Sequence, residues 1–195
     1  MKKTTLLFVI VLTSISCKEN KELPSVETQE TEIPKIVYSK SDHTLQAFDL
    51  TEVLKYNGIA SLDIGEELPD LKTLEKKGQT LRRDVYRTAE VSFDVIYLNK
   101  NGKDIIRFYP DITYMFMMTI LEPEAVPKNM IKPTNVFADL KETYPNAAAV
   151  GSVMQGDVFV RQPDVTFRLD AKNASPTIVQ IPEQTAILEI TVQRK

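Results

Sequence analysis

Two hydrophobic periods divide this chain. From Leu68 through Leu71 to Leu74 apolar residues return every third position, whereas Val91, Phe93, Val95 and Tyr97 alternate with polar neighbours such as Ser92 and Asp94. The first period predicts a helix over about Glu66–Lys77, with Pro69 in its tolerant first turn, acidic residues at its positive end, Lys76 and Lys77 at its negative end, and Gly78 as its stop. The second predicts strands at Leu81–Arg87, Ala89–Leu98, Asp104–Tyr109 and Ile112–Leu121, with Asn99-Lys100-Asn101-Gly102 as a hairpin loop. Upstream, Ile36-Val37-Tyr38 reads as a strand, and Asp49-Leu50-Thr51-Glu52 caps a short helix that Gly58 ends.

The second half repeats this order. Val136, Phe137, Leu140 and Tyr144 form the apolar side of a helix that starts at Thr134 or Asn135 and stops before Pro145. Strands are predicted at Ala147–Met154, Asp157–Arg161, Val165–Asp170, Ile178–Ile181 and Ala186–Val192. Asp84–Val95 also resembles Asp157–Leu169 in wording, Ile105–Phe108 resembles Ile178–Ile181, and the Leu68–Lys72 pattern returns at Phe137–Lys141, at spacings of 69 to 73 residues that point to duplication. The expectation is an α+β fold, a tandem repeat of helix plus antiparallel four-stranded sheet, with halves about 57–121 and 129–195. Each half alone buries a thin core, so the two are expected to pack as a single pseudo-twofold body.

The amino terminus is set apart by its composition. Lys2 and Lys3 precede the apolar run Leu6–Leu12, which is too short to span a bilayer, and Ser14 and Ser16 lead into Cys17, the only cysteine. Residues 1–16 are therefore read as a signal peptide. Residues 17–35, acidic and poor in apolar side chains, are read as a flexible linker, and 36–195 as the globular domain. Without the signal, 22 basic residues face 27 acidic ones, a net charge of −5 that provides no concentrated basic face for nucleic acid. A lone cysteine leaves no internal disulfide and no thiol pair.

The motif Ser14-Ile15-Ser16-Cys17 resembles the signal of bacterial lipoproteins, in the loose form familiar from Bacteroidota, and Lys18-Glu19 is similar to their short charged surface-export signal. That resemblance implies lipidation at Cys17, membrane attachment through acyl chains such as palmitate, and an outer-membrane location, periplasmic or surface-exposed. The helix-plus-four-strand layout resembles, in architecture, the β-lactamase inhibitor protein and, more distantly, small outer-membrane assembly lipoproteins with a helix-on-sheet fold. It is also similar to uncharacterised envelope lipoproteins. None of these layouts brings a functional motif with it.

Few residues carry candidate chemistry. His43, the only histidine, lies among Ser39, Ser41 and Asp42, sequence neighbours that do not converge as a catalytic triad must. Asp63, Glu66, Glu67 and Asp70 have the oxygens calcium favours, but a helix dipole accounts for acids at a helix start. Tyr114, Met115, Phe116, Met117 and Met118 make either a strand buried on both sides or, more sharply, an adaptable partner surface. Arg82, Arg83, Arg87, Arg107, Arg161 and Arg168 fall on predicted strands, where pairing with Glu90, Asp94, Asp170 or Glu189 across a wet face accounts for them. No cofactor or metal motif is present. The chain is thus expected to bind an envelope protein or a small ligand without catalysis; a hydrolase with dispersed carboxylates and a structural spacer are the alternatives.

Overall fold

The computed structural model describes residues 36–88, 91–111 and 115–193. The first helix, α1 (Leu50–Asn57), begins where Asp49 accepts from the Glu52 N–H and ends at Gly58, whose φ of 68° lets its N–H reach the carbonyls of Leu54 and Lys55. The second, α2 (Phe137–Thr143), is held at its start by Asp139, buried at 3% exposure. Its carboxylate accepts from the N–H groups of Val136 (3.1 Å) and Ser41 (2.8 Å) and from the Asn135 amide (3.2 Å), so the incoming chain is fastened to the helix by the same group. Neither Thr134 nor Asn135 serves as the cap.

Among the described residues, eight strands follow the helices in two runs of four: β1 (Gln79–Arg87), β2 (Ser92–Lys100), β3 (Lys103–Pro110) and β4 (Met115–Ile120), then β5 (Ala149–Gly151), β6 (Asp157–Arg161), β7 (Val165–Lys172) and β8 (Ile187–Gln193). They form one antiparallel sheet in the order β1-β2-β3-β4-β8-β7-β6-β5, giving an α+β fold. The β2–β3 turn is the Asn-Gly turn the sequence predicts, with Asn101 at φ 53° and Gly102 at φ 84°.

One face of the sheet carries the core. Ile96 and Leu98, Ile106 and Phe108, Met118 and Ile120, Ile190, and Phe167 and Leu169 share a buried cluster with Val53 and Leu54 of α1 and Leu140 of α2. Among the described residues no helix is long and apolar enough to cross a membrane.

Three predicted elements are corrected. Residues 66–77 contain only a short 3-10 turn, Leu71–Leu74. The Gly65 N–H bonds to the Met115 carbonyl (2.6 Å) and the Met115 N–H to the Glu66 carbonyl (3.2 Å), so backbone that a helix would use is already paired with β4. Leu68, Leu71 and Leu74 still pack against the core. Ile36–Tyr38 is exposed or half-buried chain without strand pairing. Ile178–Ile181 contributes a single bridge, Ile178 to Val150 of edge strand β5. The similar words of the sequence also fall on unlike elements: Asp84–Arg87 lies in β1 but Asp157–Arg161 in β6, and Ile105–Phe108 lies in β3 while its counterpart is not a strand.

Candidate functional site

Strand alternation turns every second residue away from the helices, and the pairing registers align these outward residues across the sheet. Arg82 stands opposite Tyr97, Tyr97 opposite Arg107, Arg107 opposite Thr119, and Thr119 opposite Thr191. Thr191 faces Thr166, and Thr166 faces Arg161, so one rung crosses seven strands. At its middle the hydroxyls of Thr119 and Thr191 lie 3.2 Å apart. The rung has arginine at both ends and no lysine.

Arg107 is its most enclosed charged member, at 7% exposure. Its guanidinium lies 3.8 Å from the Tyr86 ring centre and 5.2 Å from that of Tyr109, and its Nη2 is 4.0 Å from Glu189. Burial works against the Arg107 charge, but Tyr109, Tyr97 and Glu189 more than offset it, so the group is held more firmly protonated than a free arginine. Its Nε is buried and unpartnered, so stacking, charge and a hydrogen bond with Tyr97 hold the side chain. Glu189 also accepts from Arg168 Nε at 3.0 Å, which makes it the shared counter-ion of two arginines from neighbouring halves of the sheet. At the β1 end Arg82 lies 4.7 Å over Tyr97 and pairs with Asp84 and, at 2.6 Å, with Asp104. At the other end Arg161 lies 5.5 Å over Phe159.

Around Arg107 the rings meet edge to face: Tyr86 and Tyr109 at 6.3 Å, Phe93 and Tyr109 at 5.8 Å. Tyr109 is 4% exposed, and burial pushes its phenol up to about 12. The folded protein therefore keeps this proton where an unfolded chain, titrating near 10, has lost it. Stability is complete below pH 10 and falls as pH rises towards 12, by about 2 kcal/mol from this residue. Urea unfolding at stepped pH is expected to show that decline in the wild type and a flatter curve in Tyr109→Phe; identical curves would contradict it.

No protein-family model matches this chain, and no curated protein matches it. Among solved structures, the uncharacterized protein yfeY from Escherichia coli is similar at a TM-score of 0.40 and 13% identity, covering 58% of this chain and 81% of that one.

Of the partner surface read from the sequence, Met115 and Met118 belong to the core, at 1% and 0% exposure. Phe116 and Met117 are half-buried, and Tyr114 lies outside the described residues, as does Cys17. Met115 and Met118 therefore do not supply an exposed face: the register with β4 shifts between Tyr109 and Pro110 of β3, and Met115 joins the core although strict alternation would turn it outwards. His43 is exposed, with its N–H 3.4 Å from the Ser41 hydroxyl. Asp63 accepts from the Ile64 N–H and Asp70 from the Lys72 N–H, and no metal-binding cluster occurs among the described residues. The arginines read as paired across a wet face include Arg107 and Arg168 on Glu189, as expected. Their alignment with Tyr97 and Phe159 was the missed feature, because sequence spacing does not reveal strand register.

Proposed function

We propose that this chain is a lipid-anchored cell-envelope protein whose globular part binds an envelope protein non-covalently through the open face of its sheet. The observation that carries the reading is the arginine-ended rung and its aromatic flanks. Arginine, tyrosine and phenylalanine are the residues enriched at the energetic centres of protein interfaces, and lysine is depleted there. The sheet edges are less suited to pairing with another strand. β1 presents the charges of Arg82, Arg83, Asp84 and Arg87, and β5 is short and bridged by Ile178. The carboxylates nearby are already engaged in ion pairs, Glu189 with Arg168, Asp84 and Asp104 with Arg82, and Asp157 with Lys172. The Arg82 guanidinium holds the Asp84 carboxyl below the usual carboxylate range, which makes it a poor proton donor.

The same reading includes a duplicated, pseudo-twofold body. Its support is the mirrored strand order, with β4 and β8 central and β1 and β5 at the edges, and the meeting of Thr119 with Thr191 at the middle.

Lipidation at Cys17 supplies the attachment, since two or more acyl chains hold a protein stably on a membrane. Fractionation of cells expressing Cys17→Ser is expected to move the protein into the soluble fraction and abolish acyl labelling. The intact chain, captured from detergent-solubilised membranes, is expected to bring one envelope protein with it. Retention of the variant in membranes would remove the tether; capture of the bare chain would count against the partner.

A further inference from the structure

A pocket of about 690 Å³ lies away from the sheet's open face, between the end of α1, the β2–β3 hairpin and the segment 123–132. That volume is within the range of about 300 to 1,000 Å³ typical of small-molecule sites. Its apolar lining includes Ile105 and Val126, at 1% and 2% exposure, and Tyr56, which is 53% exposed. An aromatic ring left that open beside buried aliphatic side chains is apolar surface with nothing of the described chain to cover it.

The polar lining is mainly cationic, four lysines beside Asn101 and Glu124. Lys100, Lys128 and Lys132 all border the pocket, and among the described residues no carboxylate pairs with any of them. Lys103 is a different case: Glu122 at 2.7 Å and Glu124 at 3.6 Å already neutralise it. Lys100 Nζ sits 5.6 Å from the Tyr56 ring centre, and Lys132 Nζ donates to the Lys128 carbonyl at 3.4 Å, so these side chains lean on the pocket wall. Three lysines without a carboxylate partner line this one pocket on a chain whose net charge is −3, where acidic neighbours are more plentiful than basic ones. Such a site selects an anion by charge, and the apolar lining selects one that carries a chain or ring.

We propose that this pocket binds an amphiphilic anion, with its apolar chain along Tyr56, Ile105 and Val126 and its phosphate or carboxylate head on Lys100, Lys128 and Lys132. Nothing in this proposal depends on the sheet face or on the tether. The wall is firm, because the Asn57 amide donates to the carbonyls of Val53 (2.8 Å) and Ala125 (2.7 Å) and so joins α1 to the turn that carries Glu124 and Val126.

The test is calorimetric titration of the full chain carrying Cys17→Ser with dodecyl phosphate below its micellar concentration, beside inorganic phosphate and uncharged dodecyl maltoside. One dodecyl phosphate per chain is expected, with both other probes weaker by about tenfold or more. Lys128→Glu with Lys132→Glu is expected to weaken dodecyl phosphate by about tenfold or more while the Tm is unchanged. Lys100→Gln with Lys128→Gln, which removes charge without reversing it, carries the same expectation if the reversed pair fails to fold. Absence of saturable binding, or binding indifferent to these substitutions, would overturn the site. Inorganic phosphate binding as tightly as dodecyl phosphate would overturn the amphiphilic ligand.

Discussion

Arg107→Ala is expected to destabilise the fold by about 3 kcal/mol, the lower end of what breaking a buried charge pair costs. Three losses combine. The guanidinium leaves its place 3.8 Å from Tyr86, a desolvated cation–π contact that typically contributes about 2 kcal/mol. Its aliphatic stem leaves a gap between Tyr97 and Tyr109, and Glu189 keeps only Arg168. Arg107→Met is expected to recover part of the loss by refilling the stem's volume, because the penalty is divided between packing and charge. Urea denaturation of the three proteins at neutral pH checks the order wild type, Met, Ala. A loss under about 0.5 kcal/mol for Ala, the range of ordinary surface substitutions, would mean that the outward face does not depend on this residue.

Asn57→Asp is expected to be more damaging than Asn57→Ala. Asn57 is 4% exposed, and both of its amide contacts are with carbonyl oxygens, which fixes the nitrogen's orientation. Truncation to Ala leaves the Val53 and Ala125 carbonyls without this donor in a buried setting, at about 1 to 3 kcal/mol for each unsatisfied group. Asp has the same shape, yet it replaces the donor with an acceptor that faces two other acceptors and adds a buried charge. Thermal or urea unfolding separates the cases. An Asp variant as stable as the wild type would show that the α1 junction is held by something else.

The parts of the fold that could be read from sequence are those decided locally. Asp49 three positions before Glu52, and Gly58 where a positive φ is needed, mark α1 through backbone hydrogen bonding within a few residues. Asn101-Gly102 marks the hairpin for the same reason. The 66–77 segment misled because leucines spaced by three suit a helix and a folded loop equally well when both lie on the same core; its distant backbone pairing with Met115 decided the matter. Of the two readings of the Met run, burial on both sides fits Met115 and Met118, and one irregular pairing decides which face Met115 joins. The candidate surface was half legible. Its arginines were evident as strand residues, but their alignment depends on four register shifts, which no single strand encodes. The lysine pocket left no pattern in the sequence, since Lys100 reaches it from the β2–β3 hairpin and Lys128 and Lys132 from the segment 123–132.

Contact through the open sheet face is tested most directly by photo-crosslinking in intact cells, with the crosslinking residue replacing Tyr97 in one variant and Phe159 in another. These positions lie on β2 and β6, roughly 24 Å apart at the usual spacing of neighbouring strands, a span that one partner of ordinary interface size covers. Both are expected to form an adduct of the same mass, which Arg82→Glu weakens, while the same crosslinker at exposed Glu142 of α2 forms none. Adducts from Glu142 but from neither strand position would place the partner on the helical side and contradict the proposed mode of binding.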